Sequence, residues 1–211
     1  DHRKDVYNGS VRPAVVVSRS TGVEVTNNTF IDCYDSSLLI SYDETVFRHA
    51  GKDVIRGNSF INRKNFTPDI QIGTETVASS EYFTYRLLIE GNSFYTNDAV
   101  SVGGNNILIN NGMGIKISNN IFNTVNVGSR IVYPIRIGVN AYINSEKDCT
   151  YIDVSNNTFV PEGTNISTYY YPVYISSDVC GGLFNSYFRI TGNYVTGTTN
   201  TIRFGVANVN P

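Results

Sequence analysis

The sequence predicts an all-β chain wound as a right-handed, single-stranded parallel β-helix, a solenoid of about six to seven coils with lateral loop insertions. Three observations predict it. One short motif recurs along the chain, a second alternating motif falls between its copies, and no segment sustains the 3.6-residue period of a helix.

The first motif reads apolar-x-apolar-x-[Asn/Gly]-Asn-x-aromatic. It occurs at Val23–Phe30, Val54–Phe60, Leu88–Phe94, Ile115–Phe122 and Ile152–Phe159, and in a shortened form at Phe188–Tyr194. Its Asn recurs at 28, 58, 92, 120, 157 and 193. A stacked Asn can bond to its neighbours and to turn backbone, satisfying polar groups inside a bend. The Asn or Gly before it tolerates the left-handed conformation of a sharp corner. The Phe two residues later is expected to stack as a column beneath the next coil.

The second motif alternates with period two and is rich in Val and Ile, the signature of strands with one buried face. It reads Ala14–Val17, Leu38–Ile40, Ile70–Ile72, Val100–Val102, Ile135–Ile137, Val173–Ile175 and Ile202–Phe204. Hairpin sheets need two-residue turns and no identical repeats, and propeller blades need about four antiparallel strands in roughly 40 residues. Here the same corner residue returns in repeats of two or three strands. Each repeat therefore buries its apolar face against the repeats on either side. Outward strand positions should form columns of their own: Lys116, Asp153 and Arg189 in one, and Arg56 with Glu90 in another.

Composition narrows the functional classes. Charged residues are 16%, against roughly 25% in an average globular protein. The polar surface comes instead from Ser, Thr, Tyr and 26 Asn. A net charge of -2 gives no basic field for nucleic acid, and no apolar run reaches membrane-span length. Three cysteines, Cys33, Cys149 and Cys180, are too few for a disulfide scaffold. Cys149 and Cys180 precede equivalent strands and read either as a bridged pair or as free thiols. Residues 1–12 read as a leading segment continuing from a longer parent chain, and 13–211 as a single domain.

From Ala14 to Val206 the repeat resembles the right-handed β-helix family of pectate-lyase-like enzymes, alginate epimerases and phage tailspikes. The resemblance implies an extracellular protein at a virion or cell surface. Its implied work is binding a polysaccharide, with glycoside hydrolysis or lyase cleavage if it is an enzyme. The Lys/Arg-with-acid signature that pectate lyases place on their strands is absent, which counts against pectin cleavage. A non-catalytic structural or adhesive module of a fibre or surface protein is the alternative, and a homotrimer is one assembly its loops could serve.

Function should sit on outward side chains and inserted loops. The insertions at 42–52, 74–85, 104–113, 139–150 and 177–187 are rich in Tyr and charge. Tyr42, Arg48, His49, Glu81, Tyr82 and Tyr85 are the expected sugar contacts, since aromatic faces and polar rims suit sugar rings. The same composition suits a subunit interface. Asp35, Asp69 and Asp98 each precede a second-motif strand and are read as one column. Adjacent coils would place two carboxylates about 5 Å apart and alternate coils about 10 Å apart. Those separations bracket the ones used by retaining and inverting glycosidases. Such crowding would raise one pKa or hold Ca²⁺ as a cofactor. Turn duty is the other reading, since Asp is a favoured turn residue. Asp43, Glu44 and Glu75 in the loops are the second acidic set. No Cys/His spacing suits zinc, and no phosphate loop precedes a helix.

Overall fold

Short Val- and Ile-rich runs extend because β-branched side chains are stiff at χ1 and pack well on a pleated surface. The computed structural model describes residues 13–18, 22–41, 52–62, 67–73, 86–97, 104–110, 112–128, 131–138, 149–175, 187–197 and 202–204. In it these runs make three parallel sheets around one core, an all-β solenoid. The leading segment 1–12 and most of the predicted insertions lie outside the described residues.

Sheet 1 has seven strands: Val15–Ser18, Leu38–Ser41, Ile70–Ile72, Ile107–Ile109, Ile135–Ile137, Val173–Ile175 and Ile202–Phe204. Sheet 2 has six: Glu24–Thr26, Asp53–Arg56, Leu87–Glu90, Lys116–Ser118, Ile152–Ser155 and Phe188–Thr191. Sheet 3 also has six: Thr29–Ile31, Ser59–Ile61, Ser93–Asn97, Ile121–Val127, Thr158–Gly163 and Tyr194–Val195. The chain visits sheets 1, 2 and 3 in turn, and every rung pairs in parallel with the next. A minor two-stranded pair sets Gly112–Met113 beside Cys149–Thr150. One helical turn, Ile166–Tyr169, is the single helix among the described residues.

The Asn ladder forms at the corner between sheets 2 and 3. The Oδ1 of Asn92 accepts the backbone N–H and the Nδ2–H of Asn58, at 2.9 and 3.0 Å. Its Nδ2 donates to the Ile55 carbonyl at 3.0 Å and to Asn120 Oδ1 at 2.9 Å. All four capacities of the amide are thus filled. The same pattern carries the ladder from Asn28 to Asn193. The residue before each ladder Asn is left-handed in every rung, with Asn27 at φ 56° and Gly57 at 67°. Asn fills the same left-handed corner at 27, 119 and 156, while at Gly57 a Cβ would lie 2.5 Å from Asn27 Oδ1.

Beneath the corner, Phe30, Phe60, Phe94, Phe122 and Phe159 stack with centroids 4.7–5.0 Å apart and planes within 8°. The ring spacing is the strand spacing, about 4.8 Å. The outward charge column Lys116–Asp153–Arg189 also forms, and Arg56 meets Glu90 at 3.1 Å.

The fourth rung departs from expectation. Its sheet 1 strand is Ile107–Ile109, inside a segment read as an insertion, while Val100–Val102 lies outside the described residues. Both runs alternate and both are short, so periodicity alone does not choose between them. Pairing does: Ile107 stands beside Ile70 on one side and Ile135 on the other.

Candidate functional site

The acidic column separates once the strands are in register. The residue before each sheet 1 strand offers its carbonyl to the preceding rung: Ser37 to Val15, Asp69 to Leu38, Asn106 to Ile70, Pro134 to Ile107 and Pro172 to Ile135. Asp69 therefore stands beside Ser37 and Asn106, while Asp35 lies two residues earlier in its own rung. Asp98 does not directly precede the fourth-rung strand, which starts at Ile107, and itself lies outside the described residues. The three acids thus do not occupy equivalent positions.

Asp35 turns back on its own backbone, its Oδ1 accepting the Ser36 N–H at 2.7 Å. Asp69 is buried, and its Oδ2 accepts from Asn106 Nδ2 at 2.8 Å. The same Nδ2 reaches Thr96 Oγ1 at 2.8 Å. Thr124, on the rung after Thr96, faces the Tyr170 hydroxyl, whose pKa burial pushes well above the usual tyrosine value and Thr124 draws back. These groups form an internal polar thread at the corner between sheets 3 and 1. Cys33 is buried, and burial raises its thiol pKa, Ser37 opposing and Asp69 and Asp32 adding to the rise. A thiol held protonated is a poor nucleophile.

Asp43, Glu44, Glu75, Tyr42, Arg48, His49, Glu81, Tyr82 and Tyr85 lie outside the described residues, as does Cys180. Among the described residues no group of three His, Cys, Asp or Glu could hold a metal ion.

What the structure brings together is aromatic. On the outer face of sheet 1, Tyr133 and Tyr174 stack at 4.4 Å and 25°, and Tyr171 lies 5.9 Å from Tyr133 at 33°. Arg136, beside Tyr174 in the ladder, holds its guanidinium carbon 5.8 Å from that ring's centroid, a cation–π contact. All four side chains are half-buried. The Tyr171 hydroxyl donates to the Thr168 carbonyl at 3.1 Å, tying that ring to the helical turn. Leu108 follows Arg136 in the same column and Gln71 follows Leu108, and the Gln71 Oε1 accepts from Ser36 Oγ at 3.2 Å.

The local sequence explains the shelf. Two successive rungs read Tyr-Pro-apolar-x-Ile, at Tyr133–Ile137 and Tyr171–Ile175. Proline lacks an N–H and forces the residue before it into extended backbone. Each Tyr is therefore held at the same corner, one rung from the other. Loop composition points instead to Tyr42, Tyr82 and Tyr85. The repeated Tyr-Pro at one offset from the sheet 1 strand was the available signal.

No protein-family model, no curated protein and no solved structure matches the chain.

Proposed function

We propose that this chain is a carbohydrate-binding β-solenoid module of an extracellular or surface protein. Its glycan lies along the outer face of sheet 1. The observation that carries this reading is the half-buried cluster of Tyr133, Tyr171 and Tyr174 with Arg136 over one ring. Stacked rings offer flat apolar faces to the C–H face of a sugar, and a guanidinium held beside them offers donors to its hydroxyls or carboxylate. Two successive rungs supply this chemistry side by side, a shelf wide enough for neighbouring sugar rings.

Binding is favoured over cleavage because Asp35 serves its own turn and Asp69 serves the interior, leaving neither poised at the shelf. A scaffold reading has its own support on sheet 3, whose outer face exposes Ile31, Tyr95, Ile121 and Tyr194. Such a face suits contact between subunits.

The test is a glycan array together with product release from bacterial and plant polysaccharides, using wild type and Tyr174→Ala. Retention of a glycan by wild type, weakened about tenfold in the variant, is the expected result. Equal retention by the two proteins would refute the shelf.

A further inference from the structure

We infer that the end of the solenoid beyond Asn193 is a docking site for an extended strand of another polypeptide, one that carries the sequence apolar-x-apolar-x-[Asn/Gly]-Asn-x-Phe. The inference goes beyond the glycan shelf and uses none of its residues.

The three sheets do not stop together. Sheet 1 ends on a seventh strand, Ile202–Phe204, whereas sheet 2 ends on its sixth, Phe188–Thr191, and sheet 3 on its sixth, Tyr194–Val195. Ile202–Phe204 pairs with Val173–Ile175 and so stands one rung beyond the other two edges. The end is therefore a step one strand deep, walled by sheet 1 and floored by the edges of sheets 2 and 3. Edge strands present unpaired N–H and C=O groups to a strand that can lie along them.

The Asn ladder sets what that strand must carry, because the ladder has a direction. At each of its five steps an Asn gives its backbone N–H and one Nδ2–H to the Oδ1 of the Asn on the next rung. The residue after that next Asn returns its own N–H to the first Asn's carbonyl, as Tyr194 does to Asn157 at 2.8 Å. Asn193 ends the series. Its Nδ2 reaches the Val154 carbonyl at 2.8 Å. Among the described residues its backbone N–H, its second Nδ2–H and its carbonyl bond to nothing further. Two donors and one acceptor thus stand in the arrangement that an Asn and its successor complete on every earlier rung.

Packing asks for the ring. The Phe column stops at Phe159, and Val195 holds the next place in the register. The smaller side chain leaves a cavity of about 170 Å³ lined by Phe159, Val173, Ile190 and Val195, with Asn193 beside them. On the preceding rung Ile152, Val154 and Phe159 are fully buried, whereas Phe188, Ile190 and Val195 are only partly so. A Phe two residues after the incoming Asn would lie over Val195 and close that space. The two apolar positions of the motif would cover Phe188 and Ile190, as Ile152 and Val154 do from the other side. These contacts lie in one line across sheets 2 and 3, which an extended chain spans and a compact ligand does not.

The experiment titrates the full chain with the synthetic peptide Val-Glu-Val-Thr-Asn-Asn-Thr-Phe-Ile, the sequence of residues 23–31, blocked at both ends. Backbone amides are followed by NMR and hydrogen exchange. The expected result is saturable binding at peptide concentrations up to about 1 mM. Exchange at the Asn193 amide should slow about tenfold on binding, because that N–H gains an acceptor. The Asn58 amide, already bonded within the ladder, should not change. Peptides with Ala for the second Asn or for Phe should bind about tenfold more weakly, and they leave the protein unaltered. Asn193→Ala should weaken the intact peptide equally, and the peptide series decides the matter if that variant does not fold. Tyr174→Ala, which alters only the glycan shelf, should bind the peptide as wild type does, so the two readings fail separately. Absence of saturable binding would overturn the inference. So would equal binding of a scrambled peptide, or changes at the Asn28 end with the Asn193 amide unmoved.

Discussion

Asn92 shows what one residue does here. It is buried, and its amide holds four hydrogen bonds, two received from Asn58 and one each given to Ile55 and Asn120. Replacing it by Ala leaves two donors on Asn58 and the Ile55 carbonyl without partners in a closed corner. Unsatisfied buried groups cost about 1–3 kcal/mol each, with partial relief as the corner relaxes. Asn92→Ala should therefore lose about 3 kcal/mol by chemical denaturation. A loss below about 0.5 kcal/mol, the level of an ordinary surface change, would show that the ladder is ornamental. Asp53 is the opposite case. Its rung neighbours are Val23 and Leu87, and its buried Oδ1 accepts the Val23 N–H at 2.8 Å. Burial raises its pKa, and hydrogen bonds from Val23 and Gly22 only partly oppose that. The folded state thus keeps this proton to a higher pH than the unfolded chain does. Stability is unaffected in strong acid and falls as pH rises from the ordinary aspartate value through the raised one. Asp53→Asn keeps the acceptor and removes the charge. It should melt higher than wild type at pH 7 and equally at about pH 3. A variant that melts lower at pH 7 would contradict this.

Among the elements, sheets 2 and 3 were legible because each copy of their motif carries a corner residue that fixes its place. Asn or Gly before the ladder Asn announces the left-handed turn, and Phe two residues on announces the column. Sheet 1 has no such marker. Its strands are three or four residues of alternating apolar character, and two candidate runs lay within ten residues of each other at Val100 and Ile107. Periodicity misplaces the fourth rung for that reason, and Asp98 with it. Asp35 and Asp69 were separated by a two-residue difference that only pairing reveals. The Phe column gives the element-scale prediction. Phe122 is wholly buried between Phe94 at 4.7 Å and Phe159 at 4.9 Å. Phe122→Ala opens a cavity in the middle of the stack and should cost about 3–5 kcal/mol, read as a fall in the denaturation midpoint. Because each rung contacts only its neighbours, the denaturation slope should also fall if the solenoid then unfolds in two parts. An unchanged midpoint would mean that the stack contributes no packing energy.

At the scale of the whole molecule, interior and surface divide the labour. The core is one continuous apolar cluster, with an Asn ladder at one corner and the Asp69–Asn106–Thr96 thread at another. These features fill and satisfy the interior and leave the outer faces free to vary. Architecture could be read in the sequence because stacking forces the same residues to recur. Function could not be read the same way, because a surface patch needs only two adjacent rungs to agree. Tyr133–Ile137 and Tyr171–Ile175 agree.

The most direct test of the sheet 1 shelf is calorimetric titration of wild type and Tyr174→Ala with the glycan that the array selects. Removing one ring from the stack deletes a sugar contact and the seat of Arg136, while Tyr133 and Tyr171 stay at their Tyr-Pro corners. The account predicts affinity about tenfold weaker in the variant, with the melting temperature within a few degrees of wild type. Equal affinity in the two proteins would contradict it and move the binding surface elsewhere on the solenoid.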